Sequence, residues 1–154
     1  MDNLLENGNF ASNQLAPWTT TAGDETWTIK PNEGDNKPDY YLQLSKGGNL
    51  VQTLREGSYK PTVLTFEVRA GEVLKPGDFV LFSYAVLCIV PAPKLALGFG
   101  GIDGATAGWR LITLAIDIKP DPASTVMVQV HTASDAQTLK AQAGTVHFRN
   151  FRLV

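Results

Sequence analysis

The chain closes on Val146-His147-Phe148-Arg149-Asn150-Phe151-Arg152-Leu153 and opens on Asn3-Leu4-Leu5-Glu6-Asn7-Gly8-Asn9-Phe10. The closing stretch is rich in residues that favour strands, and the opening stretch has an Asn-Gly turn with apolar residues on both sides. We therefore predict two strands whose pairing joins the ends of the chain in one sheet. Such closure is typical of a single all-β module.

The closing stretch also contains a break in its own period. Val146 and Phe148 share one parity of the strand, whereas Phe151 and Leu153 share the other. Because side chains alternate between the two faces of a strand, one extra residue is needed to turn all four into the core. The pattern therefore predicts a β-bulge near Arg149-Asn150.

Alternation of apolar and polar residues recurs between the two ends. It is found in segments 27–30, 40–45, 50–54, 64–69, 112–118 and 126–131. The one short helical candidate spans 135–142, and the glycine-rich stretch 97–108 is interpreted as a loop. Many short strands separated by turns predict an all-β fold, a single β-sandwich of two antiparallel sheets over residues 1–154.

Length and composition fit a folded domain. The 154 residues are 44% apolar and 18% charged, with a net charge of −2 and both signs intermixed. Such a chain buries a core without disulfides or a structural metal. No nucleic-acid partner is expected, because the sequence has no basic stripe for a phosphate backbone. The single cysteine, Cys88, lies in an apolar run and is predicted to be buried and unreactive.

That apolar run spans residues 79–90 and is apolar at both parities. It is too short to cross a bilayer, so no transmembrane segment is predicted. A strand that is apolar on both faces must be covered on both. We expect its outer face to be covered by a loop, by a second copy of the chain, by a partner protein or by a ligand.

The N-terminus does not indicate a localisation. It has neither the basic stretch nor the apolar segment of a secretory signal. A cytoplasmic protein, export by a non-classical route and a domain cut from a longer chain all stay open as expectations.

Three segments resemble the galactose-binding-like β-sandwich, in particular the carbohydrate-binding modules of families 4, 9 and 22. The opening stretch together with Trp18 resembles the start of these modules. Segments 41–45 and 50–54 are similar to their Tyr-x-Leu-x-Leu and hydrophobic-x-Gln-Thr pair, and the closing stretch resembles their ending. The resemblance implies a jelly-roll sandwich in which Trp18 packs beneath the first turn.

Many modules of this kind hold a structural calcium ion between the first and last strands, and this chain departs from that pattern. Ala11 stands where the resemblance implies an acid, and Arg149 and Asn150 replace the terminal acid pair. Calcium prefers several oxygen ligands with net negative charge, so these residues disfavour it. We predict no cofactor, and we expect Arg149 to fill the space and to donate to nearby carbonyls.

The resemblance implies a carbohydrate ligand, held by aromatic rings that stack on sugars and by polar side chains that bind hydroxyls. The candidate rings are Trp27, Tyr41, Tyr84 and Trp109, with Tyr59 as a further one, and the polar candidates are Glu67 and Arg69. Each also has an ordinary alternative role. Trp109 would cap one end of the core, and Glu67 and Arg69 would be solvated surface residues.

We expect a non-catalytic, lectin-like carbohydrate-binding module. Only His131 and His147 offer near-neutral bases, and neither belongs to a nucleophile motif, so no enzyme is predicted. No histidine or cysteine pattern indicates zinc. One alternative is an assembly or adhesion domain that contacts other proteins through the strand at 79–90. Another is surface recognition as part of a toxin.

Overall fold

The computed structural model describes residues 2–20, 27–32, 40–45, 47–54, 60–71, 79–89, 94–103, 108–118, 125–132 and 145–154. These residues form ten strands and a three-residue 3-10 turn at Ala11–Asn13. The strands are β1 Thr19–Thr20, β2 Trp27–Pro31, β3 Tyr40–Ser45, β4 Asn49–Thr53, β5 Val63–Ala70, β6 Phe79–Cys88, β7 Lys94–Asp103, β8 Arg110–Ala115, β9 Val126–Thr132 and β10 Thr145–Leu153.

The strands build two antiparallel sheets of five strands each. The first sheet has the order β1-β4-β9-β6-β7 and the second has the order β2-β3-β10-β5-β8. The predicted all-β sandwich of two antiparallel sheets is therefore confirmed. All six alternating segments are strands, although β8 ends at Ala115 rather than at residue 118. The C-terminal strand β10 lies at the centre of the second sheet, between β3 and β5.

The β-bulge predicted in β10 is confirmed. The register between β10 and β5 shifts between Arg149 and Arg152, and Asn150 at this point has a φ of 54°. A single left-handed residue of this kind inserts one extra position into the strand. Because of it, all four apolar side chains of the strand lie in the core: Val146, Phe148, Phe151 and Leu153.

The strand predicted at the start of the chain is wrong. Residues 2–10 form bends and a turn instead of a strand. Asn7 has a φ of 51° and Phe10 a φ of 53°, and a regular strand does not contain such left-handed residues. The Asn-Gly turn itself is present, since the Phe10 N–H donates to the Asn7 carbonyl at 3.2 Å.

Hydrogen bonds nevertheless tie the two ends of the chain together, as predicted. The Leu4 N–H donates to the Leu153 carbonyl at 2.8 Å, and the Phe151 N–H donates to the Gly8 carbonyl at 2.9 Å. The Asn3 carboxamide accepts from the Leu153 N–H at 2.9 Å and donates to the Phe151 carbonyl at 3.0 Å. The opening segment therefore lies along β10 without being a regular strand.

Trp18 packs beneath the first turn, which confirms the role that the family resemblance implies. Its side chain is 2% exposed, and its indole N–H donates to the Asn7 carbonyl at 3.0 Å. The indole lies 4.9 Å from the ring of Phe151 and 6.2 Å from the ring of Phe10, measured between centroids. Trp18 thus joins the opening turn to the last strand through the core.

Residues 97–103 of the glycine-rich stretch are not the loop that we predicted, and residues 104–107 lie outside the described residues. The first part of the stretch belongs to β7, which pairs with β6 and ends the order of the first sheet. Gly98 lies opposite Tyr84 and Gly100 lies opposite Phe82. A Cβ atom on either glycine would overlap the facing aromatic ring. These glycines therefore make room for two rings that fill the core.

Two predictions, the helical candidate at 135–142 and the candidate ring Tyr59, lie outside the described residues. Cys88 of β6 forms no disulfide and is 1% exposed, so its predicted burial is confirmed. In the part of the chain that the structure describes, no helix has the length and apolarity to cross a membrane.

Candidate functional site

Aromatic and charged side chains gather on the outer face of the second sheet. They come from strands whose apolar parity faces the core, so the intervening residues point outward. The register places His147 of β10 beside Arg69 of β5, and Arg149 beside Glu67. We call this group the outer-face cluster, and its members are Tyr41, Glu67, Arg69, Trp109, His147 and Arg149.

Trp109, just before β8, contacts most members of the outer-face cluster. The Cζ atom of Arg149 lies 4.1 Å from its ring centroid, and that of Arg69 lies 4.4 Å away. The Tyr41 ring meets the indole edge-on at 5.7 Å between centroids. These distances are typical of cation–π and aromatic contacts. Trp109 is partly exposed and is not part of the core, so its alternative role as a core cap is wrong.

Arg149 and Glu67 form an ion pair beside the indole. The Arg149 Nε lies 3.1 Å from the Glu67 Oε2, and its Nη1 donates to the Asn32 Oδ1 at 3.2 Å. The Asn150 carboxamide also donates to Glu67. Two consecutive residues reach one carboxylate because the bulge interrupts the alternation of β10. The expected bonds from Arg149 to backbone carbonyls are replaced by these side-chain partners among the described residues.

His147 is 6% exposed and holds Arg69 in place. The Arg69 Nε–H donates to the His147 Nδ1 at 3.0 Å, so this nitrogen carries no proton. The Nε2–H consequently faces the Gln43 Oε1 at 3.0 Å. Burial, then the positive charges of Arg69 and Lys30, lowers the pKa of His147 to about 4. The imidazole is therefore neutral at pH 7.

Tyr41 is a buried member of the outer-face cluster and packs against His147 and Arg69. It is 4% exposed, and its ring lies 4.5 Å from that of His147 and 4.9 Å from the Arg69 Cζ. A ring this buried has no free face for a ligand. Within the cluster, Trp109 is therefore the aromatic side chain that offers accessible surface.

Two of the predicted rings, Trp27 and Tyr84, lie away from the outer-face cluster. Both are partly buried and pack against the core. Trp27 pairs with Leu44, which faces the core, and therefore shares its direction. The Tyr84 ring lies 5.3 Å from that of Phe66, inside the sandwich. These two side chains are not included in the site considered below.

Sequence reasoning did not assign His147, Gln43 or Asn32 to a site. The sequence singled out His147 only as a near-neutral base, and the structure places it on the outer face of β10. Its parity with Arg149 on one strand was a usable signal, because the two side chains must share a face. Gln43 carried the same signal through its parity with Tyr41 on β3. Asn32 follows the end of β2, and no pattern in the sequence indicated that it would contact the cluster.

The described residues around Ala11, Arg149 and Asn150 do not fit a calcium ion. Calcium requires several oxygen ligands with net negative charge. Glu67 is the carboxylate that contacts Arg149 and Asn150, and the guanidinium already balances its charge. Within the described ranges, no three His, Cys, Asp or Glu side chains converge on a metal position.

The chain is similar to solved carbohydrate-binding modules over its whole length. One is a family 61 module in complex with β-1,4-galactotriose, with a TM-score of 0.70 and 13% identity over 100% of this chain and 99% of that chain. Another is a family 22 xylan-binding domain from Paenibacillus barcinonensis, with a TM-score of 0.64 and 10% identity over 96% of both chains. A family 4 structure has a TM-score of 0.57 and 13% identity over 96% of this chain and 97% of that chain.

No protein-family model and no curated protein matches the sequence. The structural likenesses nevertheless confirm the resemblance at the level of the fold, because both families 22 and 4 are among the similar structures. The fold is the β-sandwich of carbohydrate-binding modules. A shared fold alone does not determine what a chain binds.

Proposed function

We propose that the protein is a non-catalytic carbohydrate-binding module that holds its ligand on the outer-face cluster. The observation that carries the proposal is that candidate side chains from separate segments meet on one face of the sheet. Tyr41, Arg69 and Trp109 are candidates by residue type and come from three separate segments, yet they lie in contact. The candidate Glu67 joins them through Arg149, which contacts both Glu67 and Trp109. The fold shared with a galactotriose-bound module and a xylan-binding domain supports the same class of ligand.

The outer-face cluster offers both kinds of contact that a sugar needs. The accessible part of Trp109 stacks on the apolar face of a sugar ring. Arg69, Arg149 and Asn150 supply N–H donors to the hydroxyls around it. Because the ion pair and His147 already hold these side chains, little rotamer freedom is lost when the ligand binds.

Replacement of Trp109 by alanine tests the proposal. We expect the wild type to be retained by at least one neutral or acidic glycan in affinity electrophoresis or on an array. Trp109→Ala should weaken that binding by about tenfold or more, or about 1.4 kcal/mol, because the stacking surface is lost. Phe99→Ala is the matched control, since Phe99 is 75% exposed on the other sheet.

Two results would count against this function. One is a folded wild type that no glycan retains at millimolar affinity, which is about −4 kcal/mol. The other is equal glycan binding by the wild type and Trp109→Ala. Circular dichroism and thermal unfolding of each variant separate a lost binding surface from a lost fold.

The outer face of the first sheet favours a second candidate function, contact with another protein chain. Leu95, Leu97 and Phe99 of β7 are 51%, 48% and 75% exposed, and Ile89 beside β6 is 38% exposed. Grouped apolar side chains of this kind are typical of interaction surfaces. Light scattering tests a second copy as the partner: an oligomer that Leu97→Ser dissociates supports it, and a concentrated monomer contradicts it.

A further inference from the structure

The outer-face cluster lies in a positively charged surface on a chain whose net charge is −2. On the strands of this face, one described side chain is acidic, Glu67. Lys30 extends from β2 opposite Tyr41. Together with Arg69 and Arg149, it makes three cations against one anion among the described side chains of the cluster and its β2 neighbour. The ligand of such a surface is favoured when it carries negative charge.

Arg69 differs from Arg149 in having no carboxylate partner among the described residues. The one acid of the face, Glu67, is bonded to Arg149 and Asn150. Arg69 instead donates its Nε–H to a neutral imidazole. Its guanidinium carbon lies over two rings, 4.4 Å from the Trp109 centroid and 4.9 Å from the Tyr41 centroid. The guanidinium of Arg69 is therefore held in position, and no described carboxylate balances its charge.

The remaining donors of Arg69 are those at the end of its guanidinium. Within the described part of the chain, Nε is the nitrogen with a hydrogen-bond acceptor. The two terminal nitrogens have no acceptor among the described residues, and they lie beside the indole on which we propose that a sugar stacks. A carboxylate matches such a fork in both shape and charge, whereas a hydroxyl matches neither.

We propose that the outer-face cluster selects acidic glycans, polysaccharides that carry uronate carboxylates, and that the terminal nitrogens of Arg69 bind the carboxylate. This inference rests on the proposed carbohydrate-binding function and adds the class of ligand. A neutral sugar would cover the Arg69 guanidinium without supplying a countercharge, which costs desolvation free energy. The low pKa of His147 supports the proposal, because Arg69 and Lys30 contribute to it by disfavouring a further positive charge.

The test compares two forms of one polymer. Calorimetry or affinity electrophoresis measures binding of the full chain to polygalacturonate and to the same polymer with its carboxyl groups methyl-esterified. We expect about tenfold tighter binding of the acidic form, and a loss of that preference as NaCl rises from about 50 to about 500 mM. Glucuronoxylan against unsubstituted xylan repeats the comparison on another backbone.

Three variants test whether the preference for the acidic polymer depends on the guanidinium of Arg69. Arg69→Gln should bind the acidic and esterified forms equally, and Arg69→Lys should recover part of the preference because it keeps the charge without the fork. Arg152→Gln removes the same charge from the same face outside the cluster. It should leave the preference within about twofold of the wild type. Thermal unfolding of each variant checks that the fold is kept.

The outcomes separate this inference from the function on which it rests. Equal binding of both polymer forms by the wild type, lost in Trp109→Ala, overturns the inference and leaves the carbohydrate-binding function in place. Equal weakening of acidic binding by Arg69→Gln and Arg152→Gln means unspecific attraction of anions and also overturns it. Binding of no glycan at all refutes the proposed function, and the inference with it.

Discussion

Arg69 and His147 act as a pair, and their chemistry follows from one hydrogen bond. Because the Arg69 Nε–H occupies Nδ1, a proton added to His147 at this atom would meet another N–H donor. Burial, followed by the positive charges of Arg69 and Lys30, lowers the pKa of His147 from 6.5 to about 4. A histidine in this state positions an arginine without adding charge to the surface.

The low pKa of His147 predicts a loss of stability in acid. Below pH 6.5 His147 becomes protonated in the unfolded chain, whereas in the folded chain it stays neutral down to about pH 4. The contribution of the neutral His147 to the free energy of unfolding is fully present above pH 6.5 and is lost as the pH falls towards 4. After a discount for partial solvent screening, we expect about 2 kcal/mol of the free energy of unfolding to depend on it.

Urea denaturation at pH 7, 5 and 4 measures this contribution. His147→Gln removes the titrating group, so its stability should fall less steeply over the same interval. Thr113→Ser, a change without a titrating group at an exposed residue of the same sheet, is the control and should keep the wild-type slope. Identical slopes for the wild type and His147→Gln would contradict the prediction.

Among the elements, β7 shows how composition can mislead and how packing decides. Its glycines suggested a loop, yet Gly98 and Gly100 lie directly against the rings of Tyr84 and Phe82. The two rings on β6 leave no room for a side chain at the two positions of β7 that face them, so both positions are glycine. The strand therefore tolerates glycine where a regular strand would prefer a β-branched residue, because the facing ring fills the space.

A methyl group at Gly98 should destabilise the sandwich. Gly98→Ala places a Cβ into the ring of Tyr84, and relief requires that the core or the strand pairing shift. We expect a loss of about 2 kcal/mol in the free energy of unfolding, measured by urea denaturation. Gly101→Ala is the control on the same strand, because the nearest atom to its Cβ is a Leu81 methyl at 3.3 Å. Equal stability of the two variants would refute this account.

At the scale of the whole molecule, the sandwich is closed by contacts between its two ends. The opening segment is irregular, but its backbone and the Asn3 side chain bond to β10 in the middle of the second sheet. The last strand thus serves both the core and the closure. The same strand presents His147 and Arg149 to the outer-face cluster. Fold closure and the candidate site therefore depend on one element.

Loss of the Asn3 carboxamide should weaken this closure. Its oxygen accepts from the N–H groups of Leu5 and Leu153, and its nitrogen donates to the Phe151 carbonyl. Asn3→Ala leaves these groups without a partner, and we expect about 2 kcal/mol of destabilisation in thermal or urea unfolding. Asn3→Asp keeps the acceptor and should lose less. Asp2→Ala, at the exposed neighbouring residue, should change stability by less than about 0.5 kcal/mol.

Which side of a strand faces the core could be predicted from the sequence alone, because apolar and polar residues alternate between neighbouring positions. The same local signal placed the bulge of β10 and the outward direction of Glu67 and Arg69. It could not show that β7 is a strand, since that depends on rings that face its glycines from another strand. Nor could it show that Trp109, which lies outside the alternating segments, points outward.

The contact between Tyr41, Trp109, Arg69 and His147 could not be predicted from the sequence and is seen in the folded structure. These residues lie on four separate segments, and the order β3-β10-β5-β8 brings them side by side. Strand order is set by the burial of both sheets together, a property of the whole chain and not of any local pattern. The sequence therefore contains the chemical groups of the site, and the pairing of distant strands makes them one surface.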